Sequence, residues 1–486
     1  MQSVEAVILD SRGLTSGTLE QIAVGGAGLV LGPELRARVS AARQSCAAPR
    51  SRPAVNAANN AWRRASPRAM DPPDHSSSMT GVTEELRAIM ATRAATLAVD
   101  PDPHGLAELD LLLGMLARHA LPTLPANLTA PDMDDLLEAL STSLTGVGRL
   151  RLADGSHCGA LSFIRSMSLS PLVVSVSDSR REEARAALVA LNHVRMDRAC
   201  RWAVVLTLSA AECMRLQGLP GRITRVSIGP QLGQRRVGGW LAGLQADQRN
   251  GAAIIVVSNA AVGEQGPQSG CHDPIGCTPS LYGAVLDAIA QHHAVSERLL
   301  RAGPLHDATL EGELSRCTDA LGNAVVSLAM HAHQRLAGLT DPVIAGGYPA
   351  SGGNGGAELA HALMGAQFDA SALLLEMHER PSDQRQYADC SATLDGRLRR
   401  CSHLIDLLYQ VLAVEALATA WVMDQSALNP PGHGVVSRST MQMRNLAQSG
   451  GRVGRQEKAS AADVHALAAD LRRPGALAPW AAAVSA

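Results

Sequence analysis

The sequence predicts a mainly α protein, a long central helical bundle accompanied by a few short strands. Four stretches of the C-terminal half, Leu281 to Ala302, Thr309 to Leu336, Glu358 to Glu379 and Leu394 to Val422, keep Ala and Leu at helical spacing throughout. Helices of roughly 20 to 30 residues exceed what α/β layers use and suit a bundle of parallel or antiparallel rods. Aromatic residues make up only 2% of the 486 residues against 46% hydrophobic, so the core is built from Ala, Leu and Val. Strand-like runs are few and short.

From the N-terminus, Val4 to Leu9 reads as a strand, followed by helical material ending at Gln44. Ser45 to Gly81 is rich in Ala, Pro, Arg, Ser and Asn, carries Pro72-Pro73 and Ser76 to Ser78, and reads as a long, partly disordered polar loop. Thr83 is placed to cap a helix, with Glu84 and Glu85 in its first turn ahead of Leu86, Ile89, Met90 and Leu97. A second helix spans Leu106 to Leu116 and stops before Pro122 and Pro125; Asp132 to Leu144 is a third. Arg149 to Leu152 and Leu172 to Val176 are strand candidates around an Asp-Gly turn. Glu182 to Leu216 follows as a long helix. Residues 217 to 278 are Gly-rich and irregular, with a short apolar run at Ile254 to Val257. Asn429-Pro430-Pro431-Gly432 closes the bundle, and a polar tail carries one more helix, Ala461 to Leu471. The expected segments are therefore 1–44, the polar loop 45–81, the N-terminal half of the main domain 82–278, the bundle 279–427 and the tail 428–486.

With 43 basic and 45 acidic residues the net charge is −2, which argues against a nucleic-acid or membrane surface as the main partner. The scarcity of aromatics argues against base-stacking platforms. Lys458 is the only lysine, and it lies in the polar tail, so Schiff-base, pyridoxal phosphate and P-loop chemistry lack their central residue. Nine scattered cysteines with no C-x-x-C pair read as reduced thiols of an intracellular protein. Cys271-His272 with Cys277 fits no zinc spacing, so no metal is expected. No signal peptide opens the chain, and no apolar stretch reaches the roughly 18 residues of a membrane span. A cytoplasmic protein is the expectation.

The order of segments resembles the histidine and phenylalanine ammonia-lyases. Thr83 to Ala88 through Arg93 to Ala98 resembles the helix before that family's cofactor loop, and Leu111 to Pro122 its "LL…G.TP..P" approach. Leu144-Thr145-Gly146-Val147-Gly148 resembles "L.GEG", and Arg181 to Asn192 is similar to "KEGLALLNGTQ". Cys277-Thr278-Pro279-Ser280-Leu281-Tyr282-Gly283 resembles "RC.PQV.G". Gly353-Asn354-Gly355-Gly356 and Asp383-Gln384-Arg385-Gln386 fall where "GLNSGF" and "NQED" belong. The resemblance covers roughly residues 80 to 427 and rests on order and spacing more than identity. It implies a bundle of the ammonia-lyase/fumarase type and a homo-oligomer, a tetramer.

The chemistry-bearing letters differ. These lyases form an electrophilic methylidene-imidazolone from an internal Ala-Ser-Gly, the Gly amide nitrogen attacking the Ala carbonyl before the Ser loses water. The corresponding stretch here contains Thr129, Ala130 and Pro131. Ala130 has no hydroxyl to eliminate, and Pro131 has no N–H to close the ring. No Ser-Gly pair occurs between Leu121 and Gly148, so the prosthetic group is expected to be absent. The family's base is a Tyr on an N-terminal loop, and no Tyr precedes Tyr282. Gly276 stands where the substrate-carboxylate Arg belongs, and Arg385 where the family has a Glu. Asn192, Asn354 and Gln384 match and are candidates for substrate contact; a buried Asn serves equally well as a cap or interhelical hydrogen bond.

Three readings follow. The first is a divergent relative whose carbon–nitrogen lyase activity is lost or altered, a pseudoenzyme standing alone or beside an intact paralogous subunit. The second is a repurposed lyase, isomerase or cyclase for a small amino-acid-like or acidic substrate, with Asp132, Arg385 and Tyr387 as candidate catalytic residues beside Asp134, Asp135 and His361. Asp134 and Asp135 also suit a helix N-terminus, and Arg385 could simply pair with Asp383 or Asp389. The third is a non-catalytic helical scaffold or partner subunit.

Overall fold

The computed structural model describes residues 6–46, 79–101, 105–124, 131–172, 178–216, 224–227, 229–246, 255–258, 274–302, 308–344, 355–378, 393–428, 436–449 and 460–484. It divides into two compact units, residues 1–187 with 299–304, and residues 188–298 with 305–486. The divisions fall inside two of the long helices.

The first unit opens with β1 (Ala6–Leu9), α1 (Ser16–Ala23), β2 (Gly28–Leu31) and α2 (Pro33–Cys46). β1 and β2 pair in parallel, Ala6 opposite Gly28 through Leu9 opposite Leu31. Period-two alternation buries Val7, Leu9 and Leu29 and leaves Ile8 and Val30 exposed on the other face. α3 (Met79–Val99) and α4 (Gly105–Ala117) pack together, with α1 also against α3. Arg87 reaches from α3 to the end of α1, donating from Nε to Ile22 O at 2.7 Å and from Nη2 to Ala27 O at 2.9 Å. It thereby satisfies carbonyls around the helix end, and burial lowers its pKa to about 10. The remainder is β3 (Leu121–Pro122), α5 (Met133–Leu144), β4 (Arg149–Arg151), β5 (His157–Gly159) and α6 (Ala160–Ser166). The strands form an antiparallel sheet in the order β3-β4-β5. The β4–β5 hairpin turns at Asp154-Gly155, where Gly155 has φ +81°, a conformation that favours glycine.

α7 (Asp178–Leu216) carries the chain from the first unit into the second. There follow β6 (Thr224–Ser227), α8 (Leu232–Gln245) and β7 (Ile255–Ser258), with β6 and β7 paired in parallel. The bundle helices are α9 (Thr278–Ala302), α10 (Ala308–Ile344), α11 (Gly355–His378) and α12 (Leu394–Leu428). α10, α11 and α12 pack against one another. Small side chains such as Ala329, Ala332, Ala413 and Ala416, all fully buried, let these helices approach closely. α12 is the one helix among the described residues long and apolar enough to cross a membrane, and 83% of its apolar window is buried.

The chain then forms α13 (Arg438–Gln448), α14 (Ala461–Arg472), a 3₁₀ turn at Ala478–Trp480 and α15 (Ala481–Val484). Scarce aromatics fasten this end to α7. Trp202 donates from Nε1 to Leu471 O at 2.8 Å and meets Trp480 edge-on at 5.1 Å, while Trp480 donates to Ser439 O at 3.2 Å. Arg198 and Arg201 donate to Arg472 O and Val484 O at 2.6 and 3.0 Å. At the start of α8, Gly233 meets Gly283 of α9; a Cβ on Gly233 would lie 2.2 Å from Gly283 O.

Several expectations need correction. α3 starts at Met79, so Thr83 lies inside it, and its hydroxyl accepts from Arg151 instead of capping. The polar segment 45–81 is helical at both ends, Ser45 and Cys46 closing α2 and residues 79–81 opening α3; its residues 47–78 lie outside those described. Residues 217–278 hold α8 besides two strands, and the tail holds three helices where one was expected. The strand expected at Leu172 to Val176 falls largely on residues outside those described, and Leu172 itself is not in a strand. The long helices, the β4 strand and the mainly α class agree with the sequence.

Candidate functional site

α5 begins where the residues around it make an N-terminus. Asp132 has extended backbone (φ −85°, ψ −175°), and its Oδ1 accepts from Asp135 N–H at 2.8 Å. Asp135 returns the bond, its Oδ2 accepting from Asp132 N–H at 2.7 Å. This reciprocal capping box uses both the carboxylate and the amide of Asp132. Burial pushes the Asp135 carboxyl up, and Asp134 pairs with Arg181. The aspartates therefore act as caps and surface partners in the first unit.

A buried charge cluster meets α5 near its other end, at Ser141. Arg93 grips Glu108 at 3.1 and 3.2 Å and Glu183 at 2.8 and 3.0 Å. Arg180 adds a second contact to Glu108 at 3.1 Å and donates to Ser141 Oγ at 2.9 Å. Burial raises the Glu183 pKa to about 7 against the pull of Arg93. Helices α3, α4, α5 and the first turns of α7 are joined through these groups. Elsewhere in this unit an open surface cavity of about 540 Å³ is lined by Arg118, Asp154, Cys158 and Phe163 among others. Arg118 is held there over the Phe163 ring at 5.7 Å and bonded to Ser166 Oγ at 3.0 Å.

In the second unit Asn192 is fully buried on α7. Its Nδ2 donates to Leu398 O at 3.2 Å, and its Oδ1 accepts from Ser402 Oγ at 2.7 Å. Both are hydrogen bonds between α7 and α12. The adjacent His193 stacks on His293 at 4.4 Å, and burial followed by the charge of His293 lowers its pKa to about 4. His292 is fully buried beside them.

The densest polar arrangement joins α7, α9, α10 and α12 of this unit. Arg335 and Glu415, 0% and 1% exposed, form a bidentate pair at 2.6 and 2.7 Å. Burial works against the guanidinium charge, and Glu415 outweighs it, so Arg335 is held above its ordinary value. Its Nη1 donates to Tyr282 OH and lies 2.9 Å from His331 Nδ1. Tyr282 OH is 3.0 Å from the same nitrogen and also meets Thr207. Burial pushes the Tyr282 hydroxyl up to about 12; burial and Arg335 lower His331 to about 3. Cys277 Sγ closes the chain, 3.2 Å from His331 Nε2. One sequence signal was available: Glu415 is a lone charge in an Ala- and Leu-rich run, and His331 and Arg335 stand one turn apart on α10.

No family model matches the chain. Tyrosine ammonia-lyase of Cereibacter sphaeroides is 28% identical over 366 residues, covering 69% of this chain and 70% of that protein. Histidine ammonia-lyase of Anaeromyxobacter sp. (strain K) is 26% identical over 379 residues, covering 71% and 72%. Tyrosine aminomutase of Streptomyces globisporus shares the fold, with a TM-score of 0.65 at 17% identity over 99% of this chain and 98% of that one. In sequence the chain resembles the aromatic amino acid ammonia-lyases, and it has the fold of the tyrosine aminomutase and histidine ammonia-lyase structures. Against that resemblance its departures now have places. Gly276 lies in the turn that leads from Pro274 into α9, and Cys277 is the residue just before that helix, its N-cap. Pro131 is buried directly ahead of the α5 cap. The family's Ala-Ser-Gly letters do occur once, as Ala350-Ser351-Gly352, just before Gly353 where the "GLNSGF" counterpart begins. That triplet, and the candidates Thr129, Ala130, Asn354, Gln384, Arg385 and Tyr387, lie outside the described residues. His361 is exposed on α11.

Proposed function

We propose that this chain is a divergent ammonia-lyase family member in which carbon–nitrogen lyase activity is lost or altered and no methylidene-imidazolone forms at residues 129–131. The observation that carries the reading is the α5 start. Ring closure needs a backbone amide nitrogen that can attack a carbonyl; Pro131 has no N–H, and the next amide, that of Asp132, is bonded to Asp135 Oδ2 at 2.7 Å. The residues present do not fit the group at either register. Asn192, matched to a family motif, supports the same reading because its amide bonds to α12. The chain is read as a cytoplasmic homo-oligomer, a tetramer. An exposed apolar stripe on α11 supports a face for a second copy: Phe368 is 70% and Leu375 60% exposed, with Met364 a turn before Phe368.

The test is chemical. Purified protein is incubated with histidine, phenylalanine and tyrosine, treated with borohydride, and its intact mass measured. The expected outcome is no ammonia above a no-enzyme blank, no trapped electrophile and no loss of water mass. Ammonia release abolished by Ser351→Ala would overturn the proposal and assign the electrophile to Ala350-Ser351-Gly352.

A further inference from the structure

The polar chain of the second unit ends at a thiol. Cys277 is half-buried and is the N-cap of α9, its carbonyl accepting from Leu281 N–H at 3.1 Å. The protonation of its neighbour follows from the contacts on the far side of the ring. Arg335 Nη1 lies 2.9 Å from His331 Nδ1, and a guanidinium can only donate, so Nδ1 accepts. Tyr282 OH, which accepts from Arg335, has its own hydrogen for Thr207 Oγ1, since the Thr207 hydroxyl already donates to Ala203 O at 2.7 Å. Burial and the Arg335 charge keep the ring neutral. The one ring proton therefore sits on Nε2, 3.2 Å from Cys277 Sγ and directed at it. A fixed N–H donor and the N-terminus of a helix both favour a thiolate over a thiol. Arg335 and Glu415 compensate each other behind the ring, and Thr207 approaches Tyr282 from α7, so no uncompensated carboxylate of this network opposes a negative sulfur. Among the described residues Cys158 and Cys317 are also half-buried, and burial pushes both of their thiols up.

We propose that Cys277 is a nucleophilic thiol, activated by His331 Nε2–H, and a site of covalent addition by activated alkenes such as α,β-unsaturated amides. In that step the thiol proton passes to solvent, and the sulfur electron pair forms an S–C bond at the β carbon. The alkene π pair moves to the α carbon, which takes a proton from water. No oxidant and no leaving group is required. Loss or retention of lyase activity does not enter this step.

Acrylamide is the probe, applied to the full chain at pH 7, with modification of Cys158, Cys277 and Cys317 followed by peptide mass spectrometry. Cys277 is expected to react at least tenfold faster than the other two. His331→Phe is expected to bring Cys277 down to their rate while leaving theirs unchanged. Equal rates in the wild type, or a Cys277 rate unaffected by His331→Phe, would overturn the proposal. If His331→Phe unfolds, seen as modification of the buried Cys200 and Cys401, the wild-type pH profile decides. A Cys277 rate that levels off at lower pH than the Cys158 rate supports activation, and parallel profiles reject it.

Discussion

His292 sits fully buried on α9, and neither of its ring nitrogens has a hydrogen-bond partner among the described residues. Leaving buried polar groups unsatisfied costs about 1–3 kcal/mol, so replacing the ring by an apolar side chain removes a penalty. His292→Leu is expected to stabilise the protein by about 1 kcal/mol, read as a raised urea midpoint. The same residue sets a pH dependence. Burial, then His193 and His293, lower its pKa from 6.5 to about 3. Below about pH 6.5 the unfolded chain takes up a proton that the folded chain refuses, so stability falls as pH drops from there toward 3. His193 and His331, at about 4 and 3, add in the same sense. Glu183 acts oppositely: with its pKa raised from 4.5 to about 7, its contribution is lost as pH rises through that window. The two effects overlap between pH 4.5 and 6.5, and a comparison separates them. The urea midpoint of His292→Leu is expected to fall less steeply with acid than that of the wild type; equal slopes would reject the assignment.

At the scale of elements, the α5 cap makes a distinction that activity alone would blur. Asp132→Ala is expected to cost about 1 kcal/mol, and Asp132→Asn, which keeps a capping oxygen, only a few tenths, as read from urea midpoints. A large loss for the Asn variant would mean that the charge of Asp132 has a role beyond the cap. The helices were the legible part of the sequence because α9 to α12 repeat Ala and Leu at one period over many turns. Their ends and the short elements were not. Thr83 has the chemistry of a cap, yet its hydroxyl serves Arg151 and the helix continues back to Met79. α8 was concealed by Gly233, Gly238, Gly239 and Gly243, which lower helix propensity; two of them permit contact, Gly233 with α9 and Gly243 with Ala483 of α15. α13 buries only Ser439, Thr440, Met443 and Ala447 among polar neighbours, too little apolar surface to show a period. The Arg335–Glu415 pair escaped notice for another reason: its members lie 80 positions apart, and pattern reading along a chain sees only near neighbours.

For the whole molecule, the exposed apolar surface of α11 is the feature that a lone chain leaves unexplained. Met364, Phe368 and Leu375 fall on one helical stripe, and Met330 of the adjoining α10 is 45% exposed. Light scattering is expected to give a particle several times the 50.7 kDa chain mass, reduced by Phe368→Glu. A wild-type monomer at micromolar concentration would exclude the oligomer. The meeting of Gly233 and Gly283 bears on how such a chain diverges. The stretch from Gly276 to Gly283 holds both a position where the lyase letter is gone and one where it stays. Gly276, where the resembled motif has a different letter, lies in the turn ahead of α9. Any side chain at Gly283 would strike the backbone of Gln234, with a Cβ 2.6 Å from its nitrogen. A glycine on which two helices close admits hardly any substitute, so a likeness between distant chains endures longest where one backbone leaves another no room.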